Sequence, residues 1–291
     1  MSARTRFRVV TAVDESPGAR AALAAALAFP WPRGSCARAI VARGAAPSHP
    51  DWPVTLWRAL DASADAAAAT ARRDLRRRWP DAEARVVDRA PVDAIIAESR
   101  QADAVVLGRH GRLVRLLLGS VSRAVIRRAR CACLVARTRP RAIRRLVIGV
   151  DGSRHARRAV EFVARLEPPA GGNVTIVRVL ESMRVPSLAM MPSRLRARIT
   201  REFEALEARS VRAAERELRQ AAARLRRTGW TVRTLIRRGA PLDELLRVVV
   251  GGRGHTLVIG ARGAGAIQTL LLGSVAQGAV NRARVPVLVV R

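Results

Sequence analysis

The chain has 291 residues, 49% hydrophobic and 26% charged, with a formal net charge of +31. That length suffices for two ordinary domains with cores of their own, and the composition is globular rather than disordered. The chain contains no Lys and no Tyr, which excludes a Walker A phosphate lysine, a Schiff-base lysine and a Tyr–Lys reductase pair.

The charge is spread evenly. Residues 1–143 hold 26 Arg against 12 acids, and residues 144–291 hold 28 against 11. Arg stands for every Lys and Ala is abundant, so the excess reads as the residue bias of a GC-rich genome rather than as selected nucleic-acid binding. Non-specific, salt-dependent attraction to polyanions is expected in either case. No apolar run reaches the length of a membrane span. The segment Met1–Arg8 leads into a strand without a signal-peptide core, so a cytoplasmic location is expected. Cys36, Cys131 and Cys133 lack metal-site spacing; Cys131 and Cys133 share one face of a predicted strand and are expected as buried thiols.

In chain order, the run Val9–Asp14 reads as a strand ending in an acid. The Ala-rich stretch Leu60–Arg78 predicts a long helix. Pro91 marks a helix start, where its missing N–H costs nothing. Gly108-Arg-His-Gly111 follows an apolar run, and seven residues later comes Gly119-Ser120, opening a helix that ends near Arg130. The strand Cys133–Ala136 then meets a short Arg/Pro segment at 137–144, which divides a domain at 1–139 from one at 144–291. Beyond it, strands are predicted near 145–150, 173–180, 230–237, 256–260 and 286–290. Between the second and third of these, 194–227 carries Ile199, Phe203, Leu206, Val211, Ala214, Leu218, Ala222 and Leu225 at helical spacing. Glu215 and Arg219 can pair along it. Pro241 marks another helix start.

The second domain repeats the first. Leu116-Leu-Leu-Gly119-Ser120-Val121 recurs as Leu270-Leu-Leu-Gly273-Ser274-Val275, Ala90-Pro91-Val92-Asp93 as Ala240-Pro241-Leu242-Asp243, and the strand ending in Asp14 as one ending in Asp151. The predicted strands are rich in Val, Ile and Leu and do not alternate, as in parallel sheets covered on both faces. Strand and helix alternating in each half predict an α/β chain of two tandem, doubly wound, five-stranded parallel-sheet domains.

The chemistry concentrates at the strand-to-helix loops. Gly260-Ala-Arg-Gly263, nine residues, then Gly273-Ser274 place a glycine loop between a strand and a helix start. Glycine admits close backbone approach to an anion, and a helix N-terminus supplies unpaired N–H donors and a positive dipole end. A dinucleotide fingerprint fails at Gln268 and lacks its downstream acid. The first loop, from Gly111 to Gly119, is two residues shorter and carries Arg112 and Arg115, whereas 264–272 has no charge. His110 reads as a turn residue, and His155 and His255 as structural or surface residues without ligand partners by spacing.

The pattern Gly, two residues, Gly, nine residues, Gly, Ser resembles that of the universal stress protein family, and the chain is similar to its tandem form over essentially its whole length. The resemblance implies a Rossmann-like, adenine nucleotide alpha hydrolase-like fold and, in one branch, ATP binding with Mg²⁺. Carried over by position, Asp151 would face the adenosine and Val179 would offer backbone groups to the adenine edge. Gly260 and Gly263 would approach the ribose and phosphates, and Gly273, Ser274 and Val275 would receive the phosphates. Asp14, Gly108, Gly111, Gly119 and Ser120 form a weaker copy. The expected role is a stress-response regulator or sensor with at most slow hydrolysis; a scaffold without nucleotide and a basic nucleic-acid-associated protein are the alternatives. The apolar terminal strands imply that the two domains pair with each other as an intramolecular pseudo-dimer, with room for a homodimer of such pairs.

Overall fold

A computed structural model of the chain describes residues 6–44, 54–109, 119–137, 139–140, 142–181, 192–252, 254–263 and 272–291. The first half runs β1 (Arg8–Val13), α1 (Pro17–Ala28), β2 (Cys36–Ala42), α2 (Val54–Arg76), β3 (Glu83–Val87), α3 (Pro91–Ser99), β4 (Ala104–Gly108), α4 (Ser120–Arg128) and β5 (Ala132–Ala136). The second repeats it as β6 (Arg145–Val150), α5 (Arg154–Ala164), β7 (Asn173–Leu180), α6 (Ser193–Arg226), β8 (Thr231–Arg238), α7 (Pro241–Gly251), β9 (Thr256–Gly260), α8 (Ser274–Arg282) and β10 (Val287–Val290).

All ten strands form one sheet in the order β3-β2-β1-β4-β5-β10-β9-β6-β7-β8. Pairing is parallel within each half, and the seam is antiparallel, with Val287 opposite Val135, Leu288 opposite Leu134 and Val289 opposite Cys133. The terminal strands, which a lone half would expose, therefore cover each other. The side chains on β5 and β10 are buried throughout, and each Val or Leu contributes roughly 1.5–3 kcal/mol when removed from water. The seam is thus part of the core.

Helices cover both faces. On one, α1, α2, α5 and α6 pack on strand residues such as Val9, Val106, Leu134, Ile148 and Leu288. On the other, α3, α4, α7 and α8 pack on Val105, Leu107, Cys133, Leu257 and Val289. Both cores run through both halves. At the sheet end where β1 begins, Phe7 of the first half meets Phe162 of the second edge-on at 5.8 Å. Arg165 lies over the Phe7 ring at 5.0 Å and pairs with Asp103 at 3.0 Å.

The predicted helix at 194–227 forms as α6. It packs on the sheet through its second half, where Ala214, Leu218, Ala222 and Leu225 are buried; Leu206 remains exposed. One expectation needs correction. Cys131 lies just before β5 rather than on it, and is half-buried while Cys133 is buried; both are free thiols. The Glu215–Arg219 pair forms at 3.7 Å.

Candidate functional site

The parallel strands of the second half end together on one side, and β6 and β9 deliver Asp151 and the second glycine loop there. The Asp151 carboxylate Oδ1 accepts from the Ser153 N–H at 3.0 Å, folding the strand end into a tight turn. Gly152 sits at φ +80°, a left-handed conformation that favours glycine. Ser153 then caps α5: its Oγ accepts from the Ala156 N–H at 3.0 Å and donates to the Arg262 carbonyl at 3.3 Å. This buried hydroxyl fastens the start of α5 to the glycine loop.

The glycines are sites of close approach. A Cβ on Gly260 would lie 2.7 Å from the His155 carbonyl carbon and 2.9 Å from the Ala156 nitrogen. A Cβ on Gly263 would lie 2.7 Å from Asp151 Oδ2, so Asp151 and Gly263 face each other across the mouth of the crevice. Gly273 closes the loop: its N–H donates to the Ala261 carbonyl at 2.9 Å, and Ala261 donates to the Val290 carbonyl at 2.7 Å. A Cβ on Gly273 would stand 3.6 Å from the Gly263 nitrogen. Asp151, Gly263 and Gly273 are thus contiguous. Residues 264–271 lie outside those described.

Ser274 does not cap α8. Gly273 is the N-cap, no side chain caps it, and Ser274 and Val275 are the first two helical residues. The N–H groups of a first helical turn have no acceptor within the helix, so this end presents donors and a partial positive charge beside Gly263. Val179 lies one residue past the last rung between β6 and β7, where Val150 meets Arg178. Asn173 donates toward β6 and the Leu180 carbonyl accepts on the β8 side. Backbone groups alternate sides along a strand, so the N–H and C=O of Val179 point past the end of β6, toward Asp151.

The sequence reading missed one wall. Glu217, from α6, accepts from the Gly152 N–H through Oε1 at 2.6 Å and lies 3.8 Å from Arg178 Nε. Arg178 in turn donates to the Val150 carbonyl at 3.4 Å. No motif marks Glu217, because only the fold brings it to position 152. His155 lies under the loop and is held below the ordinary histidine range, first by burial and then by Arg262, Arg158 and Arg154. Among the described residues, no three His, Cys, Asp or Glu side chains group as metal ligands.

The first half keeps the frame. Asp14 Oδ1 accepts from the Ser16 N–H at 3.0 Å, Ser16 caps α1 through the Ala19 N–H at 3.1 Å, and Gly119 is an uncapped N-cap before Ser120. Gly108 packs on the main chain of Gly18 as Gly260 packs on that of His155. Ala42 stands where Val179 stands, one past the β1–β2 rung of Val13 and Val41. Other features differ: Glu15 stands where Gly152 stands, Arg109 replaces Ala261 after the strand, and Ser122 Oγ donates to the Gly108 carbonyl at 2.8 Å where the second half has Ala276. Gly111, His110, Arg112 and Arg115 lie outside the described residues.

Comparison with known proteins agrees with this fold. The family model described as the universal stress protein family matches residues 5–137 and again 142–291. Universal stress protein Rv2005c of Mycobacterium tuberculosis is 30% identical over 213 residues, 69% of this chain and 66% of its own length, so the match spans just under two thirds of that relative. A universal stress protein of Thermus aquaticus is 33% identical over 148 residues, 50% of this chain and 97% of its own. The crystal structure of a universal stress protein from Archaeoglobus fulgidus superposes with a TM-score of 0.65, covering 98% of each chain at 18% identity, a likeness of fold. The chain belongs to the universal stress protein family, with two copies of the family's domain in tandem.

Proposed function

We propose that the protein is a cytoplasmic stress-response regulator or sensor that binds ATP in the second half. The observation that carries this reading is the uncapped N-terminus of α8, held beside a glycine whose missing side chain leaves room for the Asp151 carboxylate. A triphosphate suits that end: backbone donors of Ser274 and Val275, the Ser274 hydroxyl and the dipole of α8 all favour negative charge. Gly260 and Gly263 keep the loop low enough for the ribose and phosphates to approach. Asp151 is placed to accept from ribose hydroxyls, and the Val179 backbone offers one donor and one acceptor to the adenine edge. Ligands of open parallel sheets lie beyond the strand C-termini, where these groups meet.

ATP would bring Mg²⁺ on its phosphates, and the bound cation would neutralise charge between them. The chain's own residues bind and orient. Asp151 Oδ1 is engaged by the Ser153 N–H, and positioning by backbone donors alone gives little acceleration; turnover in this reading is slow. The first half shares the frame and is proposed as the weaker site, its Gly108 carbonyl already engaged by Ser122.

The reading is tested by releasing bound small molecules from natively purified protein and identifying them by mass spectrometry. Adenine nucleotide near one equivalent supports it. Protein that carries none, and takes up none on incubation with ATP and Mg²⁺, contradicts it.

A further inference from the structure

Helix α6 spans 34 residues, about 51 Å at 1.5 Å per residue. Its second half packs on the sheet through Ala214, Leu218, Ala222 and Leu225. Its first half carries a separate apolar stripe: Leu195, Ile199, Phe203 and Leu206, spaced four, four and three apart. Leu195 is 45% exposed and Leu206 48%, with Ile199 and Phe203 half-buried. At about 100° per residue, the stripe lies roughly a quarter turn away from the line of buried residues. The forward extension of that line carries Thr200, Glu204 and Glu207 instead, and Glu207 pairs with Arg238 of its own half. The stripe therefore does not face its own sheet.

The charges beside it are segregated. Residues 194–201 hold Arg194, Arg196, Arg198 and Arg201 and no acid, and residues 202–207 hold Glu202, Glu204 and Glu207 and no base. We propose that the stripe is a self-association surface on which the α6 of a second copy packs antiparallel. One register, centred near Thr200 and Arg201, joins the two stripes and one flanking charge pair. Leu195 meets Leu206 of the second copy, Ile199 meets its Phe203, and Arg198 meets its Glu202 on the flank. The basic block of each helix then lies along the acidic block of the other. A parallel pairing would stack the two basic blocks together, which like-charge repulsion opposes. Within one chain Arg198 and Glu202 pair at 3.0 Å, with side chains 79% and 65% exposed, so both remain open to a partner.

The seam between β5 and β10 is already filled within one chain, so this surface joins whole two-domain molecules. Sedimentation velocity of the full chain over a range of concentrations tests it. The parent protein is expected to dimerise reversibly, and Leu195→Ser with Leu206→Ser is expected to abolish the dimer with unchanged far-ultraviolet circular dichroism. Arg198→Glu reverses two symmetric contacts and is expected to weaken the dimer about tenfold. Adding Glu202→Arg restores opposite charges in the same register and should return the affinity to within about threefold of the parent. A parent that stays monomeric overturns the proposal, and if the serine variant is then less stable, the stripe is covered by its own chain. A dimer insensitive to the leucines, or a charge swap that does not restore it, also overturns it.

Discussion

The Arg291 guanidinium donates to the main-chain carbonyl of Arg127 at 2.7 Å, across the seam between the halves. It also reaches the Ile126 carbonyl at 2.5 Å. The bond is returned: Arg137 donates to the carbonyl of Asn281. Arg137 follows β5 as Arg291 follows β10, and Arg127 holds the place in α4 that Asn281 holds in α8. Each half thus supplies the cation that caps the last turn of the other half's helix, where a positive group complements the dipole. The N-termini of these helices open onto the two glycine loops.

These contacts should be measurable as stability. Arg291→Met leaves two helix carbonyls without their donor and removes two charge-assisted hydrogen bonds, a loss of about 2 kcal/mol. Arg137→Met should cost a similar amount. Urea denaturation of the two single variants and the double variant checks both values. A loss below about 0.5 kcal/mol at both sites would show that the caps hold nothing.

The glycines should separate binding from stability. Gly263→Ala puts a methyl 2.7 Å from Asp151 Oδ2, a side-chain atom that can swing away. The fold should tolerate it, while ATP affinity falls about tenfold or more as the carboxylate moves. Gly260→Ala instead meets the main chain of His155 and Ala156, which cannot move without shifting α5, and should cost roughly 1–3 kcal/mol of stability. Calorimetric titration and urea midpoints on the same two proteins distinguish the effects.

Much of this was legible in the sequence. Val- and Ile-rich runs without alternation announced central parallel strands, and the Gly-Ser repeats announced two copies of one plan. Asp14 and Asp151 could be placed at strand ends because an acid closes each apolar run. What escaped depends on contacts between residues far apart in the chain. Glu217 reaches Gly152 over 65 positions, and Arg291 reaches Arg127 over 164; neither follows a local period. The α6 pattern marked the helix but not its contacts. Helical spacing reports that residues share a face but not what the face meets, so Leu206 and Leu218 looked alike and lie on different sides.

Acid should destabilise the protein below the ordinary histidine range. His155 and His255 are both held down, each first by burial, then by Arg262, Arg158 and Arg154 for His155 and by Arg145 and Arg144 for His255. His255 Nδ1 also accepts from the Arg144 N–H at 3.1 Å, which requires it unprotonated. As pH falls through about 6.5 the unfolded chain takes up protons first, so stability present above that value is lost as pH drops toward the folded-state values. Urea midpoints at pH 7.5 and 5.0 should show the loss, and His155→Gln with His255→Gln should reduce it. An unchanged slope in the double variant would assign the acid sensitivity to other groups.

The thiols should differ in reactivity. Burial pushes Cys131 up to about 12 and Cys133 higher still, and the thiolate is the reactive form. Iodoacetamide at pH 8 should label half-buried Cys36 first, half-buried Cys131 more slowly, and Cys133 only when the protein unfolds, as read by peptide mass spectrometry. Early labelling of Cys133 would contradict the buried seam.

The central claim is that the second half holds the nucleotide. Titration of the parent, Gly273→Val and Gly119→Val with ATP and Mg²⁺ by calorimetry tests it most directly. A valine at 273 would crowd Arg262 Cα and the Ala261 carbonyl, 3.3 and 3.4 Å from a Cβ there. The predicted result is binding by the parent, loss in Gly273→Val and retention in Gly119→Val. No binding by the parent, or loss only in Gly119→Val, would contradict the account.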